Sequence, residues 1–262
     1  MISEFTYDNL EGIRTAYDRD GVVVVRDVLQ AALVEELDKH IDWLIERHPE
    51  LRPERLGHWL IAQDPFWVRF VSDERLLDVA EAFVGSNIAF FAADYIAKPP
   101  YDGQAVCWHQ DANYWPLKPM EVITIWFAVS KSTCENGCVQ VIPGSHQLGQ
   151  IPHQPHKENA SLLGSEVPSN FVDESKAVAV VLNPGDVSVH HPLTLHGSEA
   201  NTSPHWRRGG SIQYMPPTTR IATNSWPSAF LFRGEGITGI NDYLPIPRYD
   251  PNEHRPFLGC EA

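Results

Sequence analysis

Two rhythms of apolar and polar residues run along this chain of 262 residues. Over 31–47, four apolar residues recur at intervals of four, four and three, which places them on one face of a helix. These residues are Leu33, Leu37, Ile41 and Leu44. Weaker helical patterns lie at 9–17 and 72–85, and Gly21 suits the left-handed residue that often follows a helix. The sequence therefore predicts three helices before residue 88.

From residue 88 the pattern changes to short apolar segments that are rich in β-branched and aromatic residues. Gly/Pro turns such as Asn183-Pro184-Gly185 separate them. The predicted strands are 88–97, 122–129, 138–142, 177–182, 186–190 and 210–215, with an earlier one at 22–25. Short strands with turns between them indicate a sandwich or barrel rather than a parallel α/β sheet. We predict a mainly β fold with flanking α-helices.

We predict one domain over 1–262, because no linker or internal repeat interrupts the sequence. Residues 1–87 would form a helical support region and 88–216 the β core. Residues 147–176 are mostly polar, and a long loop inside a compact domain is usually functional. We therefore interpret 147–176 as a lid. Residues 217–262 are rich in Pro, Gly and aromatics without a sustained period, which predicts an irregular tail.

Composition narrows the possible partners and the compartment. The net charge is −14, from 20 basic and 34 acidic residues, which argues against nucleic-acid or anionic-membrane partners. No apolar run approaches the roughly 20 residues of a transmembrane helix, and no secretory signal is visible. Four cysteines do not make a disulfide framework, and Cys134 and Cys138 lack the second pair that a zinc finger needs. We expect a cytoplasmic protein with reduced thiols.

The candidate chemistry centres on Trp108-His109-Gln110-Asp111. In an extended segment, side chains at positions i and i+2 point to the same face, so His109 and Asp111 can share a ligand. His196, in Leu195-His196-Gly197-Ser198, is a candidate third ligand. Two histidines and one carboxylate, with coordination positions left open, are typical of non-haem Fe(II) oxygenases.

Other histidines compete with His196 for the third position. His190 and His191 lie just upstream, and His146 closes the Pro-Gly-Ser-His turn. We interpret His190 as a strand residue or a neighbour of the ligands, and His146 as a residue that stabilises the turn. Only His196 is followed by Gly-Ser, and Arg207 lies eleven residues beyond it. This sequence context sets His196 apart from the other histidines.

Further motifs follow the His-x-Asp segment in a specific order. They are Asn136-Gly137-Cys138, Ile142-Pro143-Gly144-Ser145-His146, Asn183-Pro184-Gly185-Asp186-Val187 and Leu195-His196-Gly197-Ser198, followed by Asn201. Together they resemble the phytanoyl-CoA dioxygenase family of Fe(II)/2-oxoglutarate-dependent oxygenases, over about residues 21–214. The resemblance implies a double-stranded β-helix (jelly roll, cupin-like), with Fe(II), 2-oxoglutarate and O2 as cofactor and cosubstrates.

Carried over by position, the resemblance implies that His109, Asp111 and His196 are the catalytic iron ligands. It also implies that Arg207 binds the distal carboxylate of 2-oxoglutarate, a role that suits a planar, permanently charged guanidinium. Arg208 is the alternative. Adjacent residues on a strand face opposite ways, so only one of the two can point into the barrel.

Four more residues are implied near the cosubstrate: Ser198, Thr124, Trp126 and Lys98. The alternatives are ordinary strand hydroxyls for Ser198 and Thr124, and a solvated side chain for Lys98. The substrate candidates are Gln104, Asn113, Tyr114 and Trp115. The two aromatics among them could equally belong to the core.

The resemblance implies a dioxygenase that hydroxylates, or otherwise oxidises, an unactivated C–H of a small-molecule metabolite and releases succinate and CO2. Related halogenases lack the carboxylate ligand, so Asp111 favours hydroxylation over chlorination. The alternative is a non-catalytic or zinc/manganese cupin-like binding protein. We expect a monomer or homodimer whose selectivity comes from 147–176, the region around 58–70 and the tail.

Overall fold

A computed structural model describes residues 1–156, 161–223 and 225–260. Four α-helices lie within these ranges, and all of them precede the main β region. They are α1 (Ile13–Asp20), α2 (Ala31–Arg47), α3 (Pro65–Val71) and α4 (Glu74–Val84).

The strands of the described residues form two principal sheets and two short pairs. In chain order they are β1 (Ser3–Thr6), β2 (Val22–Arg26), β3 (Ile88–Tyr95), β4 (Val106–His109), β5 (Leu117–Lys118), β6 (Ile123–Ala128), β7 (Val139–Val141), β8 (Gln154–Pro155), β9 (Ser165–Glu166), β10 (Val178–Ala179), β11 (Val187–His190), β12 (His196–Ser198), β13 (Gly209–Met215), β14 (Arg220–Ile221) and β15 (Phe230–Arg233). The larger sheet has the order β1-β2-β11-β6-β13-β3-β15, and the smaller one β10-β7-β12-β4. All pairings are antiparallel except β1 with β2.

The two sheets pack face to face, and the helices cover the outer face of the larger one. Alternation along β6 shows this directly, because Ile125 and Phe127 belong to the cluster that contains the helices. Trp126 and Ala128 instead pack against apolar residues of the smaller sheet, including Val141. Both faces of the larger sheet are therefore buried. The mainly β fold predicted from the strand pattern, and the jelly roll implied by the family resemblance, are confirmed.

The helices differ from the prediction mainly at their ends. Helix α2 occupies the predicted range and buries the predicted apolar stripe. Helix α1 begins later, at Ile13, and ends where Gly21 adopts φ 70°, in the left-handed region. Helix α3 was not predicted. It is only seven residues long, and Asp64 caps it by accepting a hydrogen bond from the backbone N–H of Trp67 at 2.9 Å.

The segments that were predicted to be irregular contain some regular structure. In the tail, β15 pairs with β3 at the edge of the larger sheet, so 217–262 is not irregular throughout. In the predicted lid, β8 and β9 form a short hairpin. Residues 157–160, inside that lid, lie outside the described residues. The strand predicted over 177–182 is reduced to the two residues of β10.

The structure also describes the state of the cysteines and the character of the helices. All four cysteines, Cys107, Cys134, Cys138 and Cys260, are free thiols. Among the described residues, no helix combines the length and apolar character needed to cross a membrane.

Candidate functional site

Three predicted ligands converge between the two sheets. Nε2 of His109 lies 3.5 Å from Oδ1 of Asp111, and Nε2 of His196 lies 3.6 Å from the same oxygen. Together the three residues offer ligand atoms that all lie within 4.8 Å of one another. These separations are of the size that a single metal ion can bridge with two imidazoles and one carboxylate.

Strand pairing in the smaller sheet brings the two histidines together. His196 on β12 is directly opposite His109 at the end of β4, and their ring centroids are 4.0 Å apart. Gly197 makes this close approach possible, because a Cβ at that position would lie 2.9 Å from the carbonyl oxygen of Val106. We predicted that Asp111 would lie on the same extended strand as His109, but the strand ends at His109. Asp111 begins a 3₁₀ turn that swings its carboxylate back toward the histidines.

Hydrogen bonds determine which ring nitrogen of each histidine carries the proton. Nδ1 of His109 donates to the carbonyl oxygen of Cys107 at 2.8 Å, and Nδ1 of His196 donates to that of Thr194 at 3.0 Å. A carbonyl only accepts, so in the neutral ring each Nδ1 carries the proton and each Nε2 keeps its lone pair for a metal. Burial also lowers the pKa of His196 well below its usual range, which keeps this ring neutral.

The second carboxylate oxygen of Asp111, Oδ2, has neighbours of its own. Oγ1 of Thr124 donates a 2.7 Å hydrogen bond to Oδ2 of Asp111, and Nε2 of His190 lies 3.4 Å from the same atom. Burial alone would raise the pKa of Asp111. The imidazoles of His196, His109 and His190 favour the carboxylate when they carry a proton, and this effect holds the pKa of Asp111 well below its usual range. The hydrogen bond from Thr124 therefore orients the anionic member of the set.

We expect Thr124→Val to weaken Fe(II) binding by about tenfold, because it removes the hydrogen bond that orients Asp111 while keeping the side-chain shape. Anaerobic iron titration measures this. Ser188→Ala is the matched control, since Ser188 is a buried strand residue whose hydroxyl has no partner among the described residues. Equal affinity in the Thr124 variant and the control would contradict the orienting role.

Arg207 is buried and has no acidic partner among the residues that the structure describes. Its terminal nitrogens donate to the carbonyl oxygens of Gly137 at 3.1 Å and Ile96 at 3.0 Å, while Nε has no partner among the described residues. The guanidinium carbon lies 5.1 Å from the ring centroid of Trp126. Burial lowers its pKa to about 10, so Arg207 stays charged at neutral pH. A buried cation in this state is prepared to bind an anion.

Lys98 lies beside Arg207 and is fully buried, so it is not the solvated lysine of the alternative interpretation. Its Nζ donates to Oγ of Ser198 at 2.7 Å and to the carbonyl oxygen of Glu199. Burial, followed by the charge of Arg207, lowers the pKa of Lys98 to about 6. This lysine is therefore mostly neutral at neutral pH while no anion is bound.

The lowered pKa of Lys98 predicts that 2-oxoglutarate binding takes up a proton. A carboxylate near Arg207 favours charged Lys98 and raises its pKa above about 6, so the complex holds more protons than the free protein. Apparent affinity should then fall as the pH rises from about 6 to about 8. Calorimetry in buffers of different ionisation enthalpy measures the uptake, which Lys98→Met should abolish and the exposed-site control Lys131→Met should not. Equal uptake in both variants would contradict the role of Lys98.

Arg208 points the other way and has its own partners. Its guanidinium lies 2.7 Å from Oδ1 of Asp38 and 2.6 Å from Oδ1 of Asp42, both on α2. Of the two adjacent arginines, the structure therefore places Arg207 in the interior and Arg208 against a helix.

A cavity of about 360 Å³ joins the ligand set to Arg207. The predicted residues that line it are His109, Asp111, His196, Arg207, Ser198, Thr124, Trp126, Tyr114 and Trp115. Lys98 contacts the lining residue Ser198 without lining the cavity itself. Gln104 and Asn113, predicted as substrate residues, do not line it. The backbone N–H of Gln104 donates to Glu54, and the side chain of Asn113 donates to the carbonyl oxygen of Ile151.

Sequence reasoning missed several residues that line the cavity. They are Glu54, Arg55, Asp94, Ser211 and Gln213. Trp59, Leu162 and Leu163 also line the cavity, and they lie in the regions 58–70 and 147–176 from which selectivity was expected to come. Two features of the sequence could have identified three of the missed residues. Ser211 and Gln213 on β13 have the same parity as Arg207, which lies two residues before that strand, and Asp94 is the only charged residue in β3.

The donor chemistry fits a resident iron ion. Two neutral imidazoles and one ionised carboxylate form the set that non-haem Fe(II) enzymes use, and three protein ligands leave positions for a cosubstrate. The unpaired guanidinium of Arg207, in the same cavity, fits the free carboxylate of an oxoacid. Among the described residues, the only other group able to hold a metal ion is Cys107, His156 and Glu166.

Comparison with known proteins gives the same assignment. The family profile "Phytanoyl-CoA dioxygenase (PhyH)" matches residues 17–209. A "Probable phytanoyl-CoA dioxygenase" of Caenorhabditis elegans is 30% identical over 161 residues, covering 58% of this chain and 52% of the relative, so the match spans about half of that protein. The "Ectoine dioxygenase" of Sphingopyxis alaskensis is 26% identical over 246 residues, covering 84% of this chain and 80% of the relative.

A solved structure shares the fold at similar coverage. The epimerase SnoN, in complex with Fe3+, alpha ketoglutarate and nogalamycin RO, is 25% identical with a TM-score of 0.65, covering 92% of each chain. The family profile covers well over half of the present sequence. The chain therefore belongs to the phytanoyl-CoA dioxygenase family of Fe(II)- and 2-oxoglutarate-dependent oxygenases.

Proposed function

We propose that this protein is a dioxygenase that hydroxylates, or otherwise oxidises, an unactivated C–H of a small-molecule metabolite, with release of succinate and CO2. One observation carries the proposal. The His109, Asp111 and His196 set and the unpaired guanidinium of Arg207 line the same cavity of about 360 Å³. Binding of a metal alone would not need a buried cation beside the ligand set.

Each part of the cavity has a defined role in this proposal. His109, Asp111 and His196 hold the iron and leave three positions open. Arg207 binds the distal carboxylate of 2-oxoglutarate and so fixes its orientation. Iron and 2-oxoglutarate, when bound, supply the oxidation by O2, and the protein supplies orientation and a dry pocket.

The remaining cavity wall supports a small organic substrate. Trp59 and Trp115 offer aromatic surface and Leu163 aliphatic surface, while Asp94 and Gln213 add polar groups. Pockets of this kind bind small molecules through apolar contact and a few polar groups that fix orientation. The acidic side chains of Glu54 and Asp94 in the wall, together with the net charge of −14, disfavour a large polyanion.

Anaerobic titration of the Fe(II)-loaded protein with 2-oxoglutarate tests the proposal. We expect a weak visible metal-to-ligand charge-transfer band, followed by succinate release when candidate substrates and O2 are added. The Asp111→Ala protein is the control and should show no band. Iron uptake without a band in the wild type would reject the oxoacid assignment and favour the cupin-like binding protein. No described feature favours that alternative at present.

The remaining predictions concern domain organisation, cellular compartment, oligomeric state and partners. We propose that the chain acts as one domain, in the cytoplasm, as a monomer or homodimer, and without a nucleic-acid or membrane partner. The net charge of −14 and the small number of cysteines support this proposal. Light scattering checks the oligomeric state, and fractionation of the source cells checks the compartment.

A further inference from the structure

Outside the cavity, the side chains of Cys107, His156 and Glu166 form a second group of potential metal ligands. Each offers one ligand atom, and these atoms all lie within 4.8 Å of one another. All three residues are partly buried. The group shares no residue with the iron ligands, and it contains a sulfur atom, which the iron ligand set lacks.

Two elements of the fold bring these residues together. Glu166 pairs with Gln154 in the β8–β9 hairpin, and His156 follows β8 directly. The two side chains meet diagonally across the hairpin, where Nε2 of His156 lies 3.4 Å from Oε2 of Glu166. The hairpin lies along β4, because the backbone N–H of Val167 donates to the carbonyl oxygen of Trp108 at 2.8 Å. Cys107 is on β4, and its Sγ donates to the carbonyl oxygen of Ser165 at 3.4 Å.

The donor set matches a specific class of metal. Thiolate, imidazole and carboxylate together are typical ligands of Zn²⁺, whereas an ion that prefers oxygen would not select a cysteine. In tetrahedral geometry with bonds of about 2.0 to 2.3 Å, neighbouring donors lie about 3.3 to 3.8 Å apart. The 3.4 Å between His156 and Glu166 already falls in that range.

We propose that Cys107, His156 and Glu166 bind a divalent ion of the zinc type, separate from the catalytic iron. Three protein ligands leave the fourth tetrahedral position for a water molecule. Such an ion would tie the β8–β9 hairpin to β4, the strand that ends in His109. Since the carbonyl oxygen of Ser165 also accepts a 2.8 Å hydrogen bond from the hydroxyl of Tyr114, the same contact reaches the cavity wall.

Cobalt substitution tests the second site, because only a thiolate ligand gives Co²⁺ an intense near-ultraviolet charge-transfer band. We expect the full-length, metal-free protein to bind two equivalents of Co²⁺ and to show this band. Cys107→Ser should lose the band and one equivalent. Cys134→Ser is the matched control, because Cys134 is exposed and lies outside the group, and it should keep both equivalents and the band.

The iron site provides an internal check on these measurements. Asp111→Ala should lose the other equivalent of Co²⁺ but keep the thiolate band, so failure of the second site and failure of the iron site are distinguishable. The equivalent that Cys107→Ser retains shows that this variant is folded. A wild-type protein without the thiolate band, or a band that persists in Cys107→Ser, would overturn the proposal.

Hydrogen exchange measures the structural consequence of the second ion. Zinc should slow exchange of the backbone N–H of His156, which donates to the carbonyl oxygen of Gly164 at 3.0 Å across the hairpin. It should also slow exchange of the N–H of Val167, which joins the hairpin to β4. Neither change should occur in Cys107→Ser. Equal slowing in that variant would place the zinc elsewhere.

Discussion

The Asp111→Ala protein is expected to fall below about one-thousandth of the wild-type rate of succinate formation while keeping its fold. A loss of that size is expected when a group central to the chemistry is removed. Asp111 is the only anionic donor of the set, and its Oδ1 lies 3.5 and 3.6 Å from Nε2 of His109 and Nε2 of His196. Without it, two neutral imidazoles remain, which is too few ligands to hold Fe(II) firmly.

Metal analysis and circular dichroism separate loss of iron from loss of fold in this variant. His109→Ala should give the same result, since it removes another ligand of the same ion. Asp173→Ala is the matched control, because Asp173 is exposed in the loop and outside the cavity. Full activity in either ligand variant would reject the assignment of the iron ligands.

The second large effect is expected for Arg207→Ala. The 2-oxoglutarate concentration needed for half-maximal rate should rise by about 100-fold, because truncating one partner of a buried charge pair costs about 2 to 5 kcal/mol. Arg207 is 1% exposed and has no acidic partner among the described residues. Its charge is therefore available to the cosubstrate.

Arg208→Ala is the matched control for this prediction. It removes ion pairs with Asp38 and Asp42 on α2, whose carboxylates are about half exposed. Each pair is therefore worth at most about 1 kcal/mol of stability. The 2-oxoglutarate requirement of this variant should hardly change. If the truncated Arg207 protein does not fold, Arg207→Met keeps most of the side-chain volume without the charge. The reverse ranking of the two arginines would assign the carboxylate to Arg208.

Strong periodic patterns were enough to predict the main elements of the fold. Helix α2 has the predicted bounds because its apolar stripe is regular over its whole length. Strands β6 and β11 were predicted to within about two residues, since they are buried on both faces and Gly/Pro turns bound them. Short elements carried too little pattern. Helix α3 has seven residues, and β15 consists of four residues in a tail without a period.

Long-range geometry could not be predicted from spacing alone. The 3₁₀ turn that directs Asp111 back to His109 is a local backbone feature with no periodic signature. The close approach of β12 to β4 depends on Gly197, whose importance is visible only when the two backbones are placed together. Thr124 was expected near the cosubstrate and lines the cavity, but the hydrogen bond from its hydroxyl to Asp111 could not be predicted from the sequence.

The candidate substrate residues also show that contacts between distant segments cannot be predicted from spacing alone. Tyr114 and Trp115 line the cavity, but Gln104 and Asn113 were chosen for their proximity in sequence and do not. Residues from distant segments, such as Trp59 and Leu163, complete the wall. Their contribution depends on how the loops pack, which composition does not encode.

Because both faces of the larger sheet are buried, alternate residues of one strand contribute either to the packing against the helices or to the wall of the cavity. On β13, Ile212 and Tyr214 pack among the helices, whereas Ser211 and Gln213 line the cavity. A directed-evolution library that randomises Ser211 and Gln213, and keeps Ile212 and Tyr214 fixed, would therefore explore new substrate ranges with little loss of folded protein.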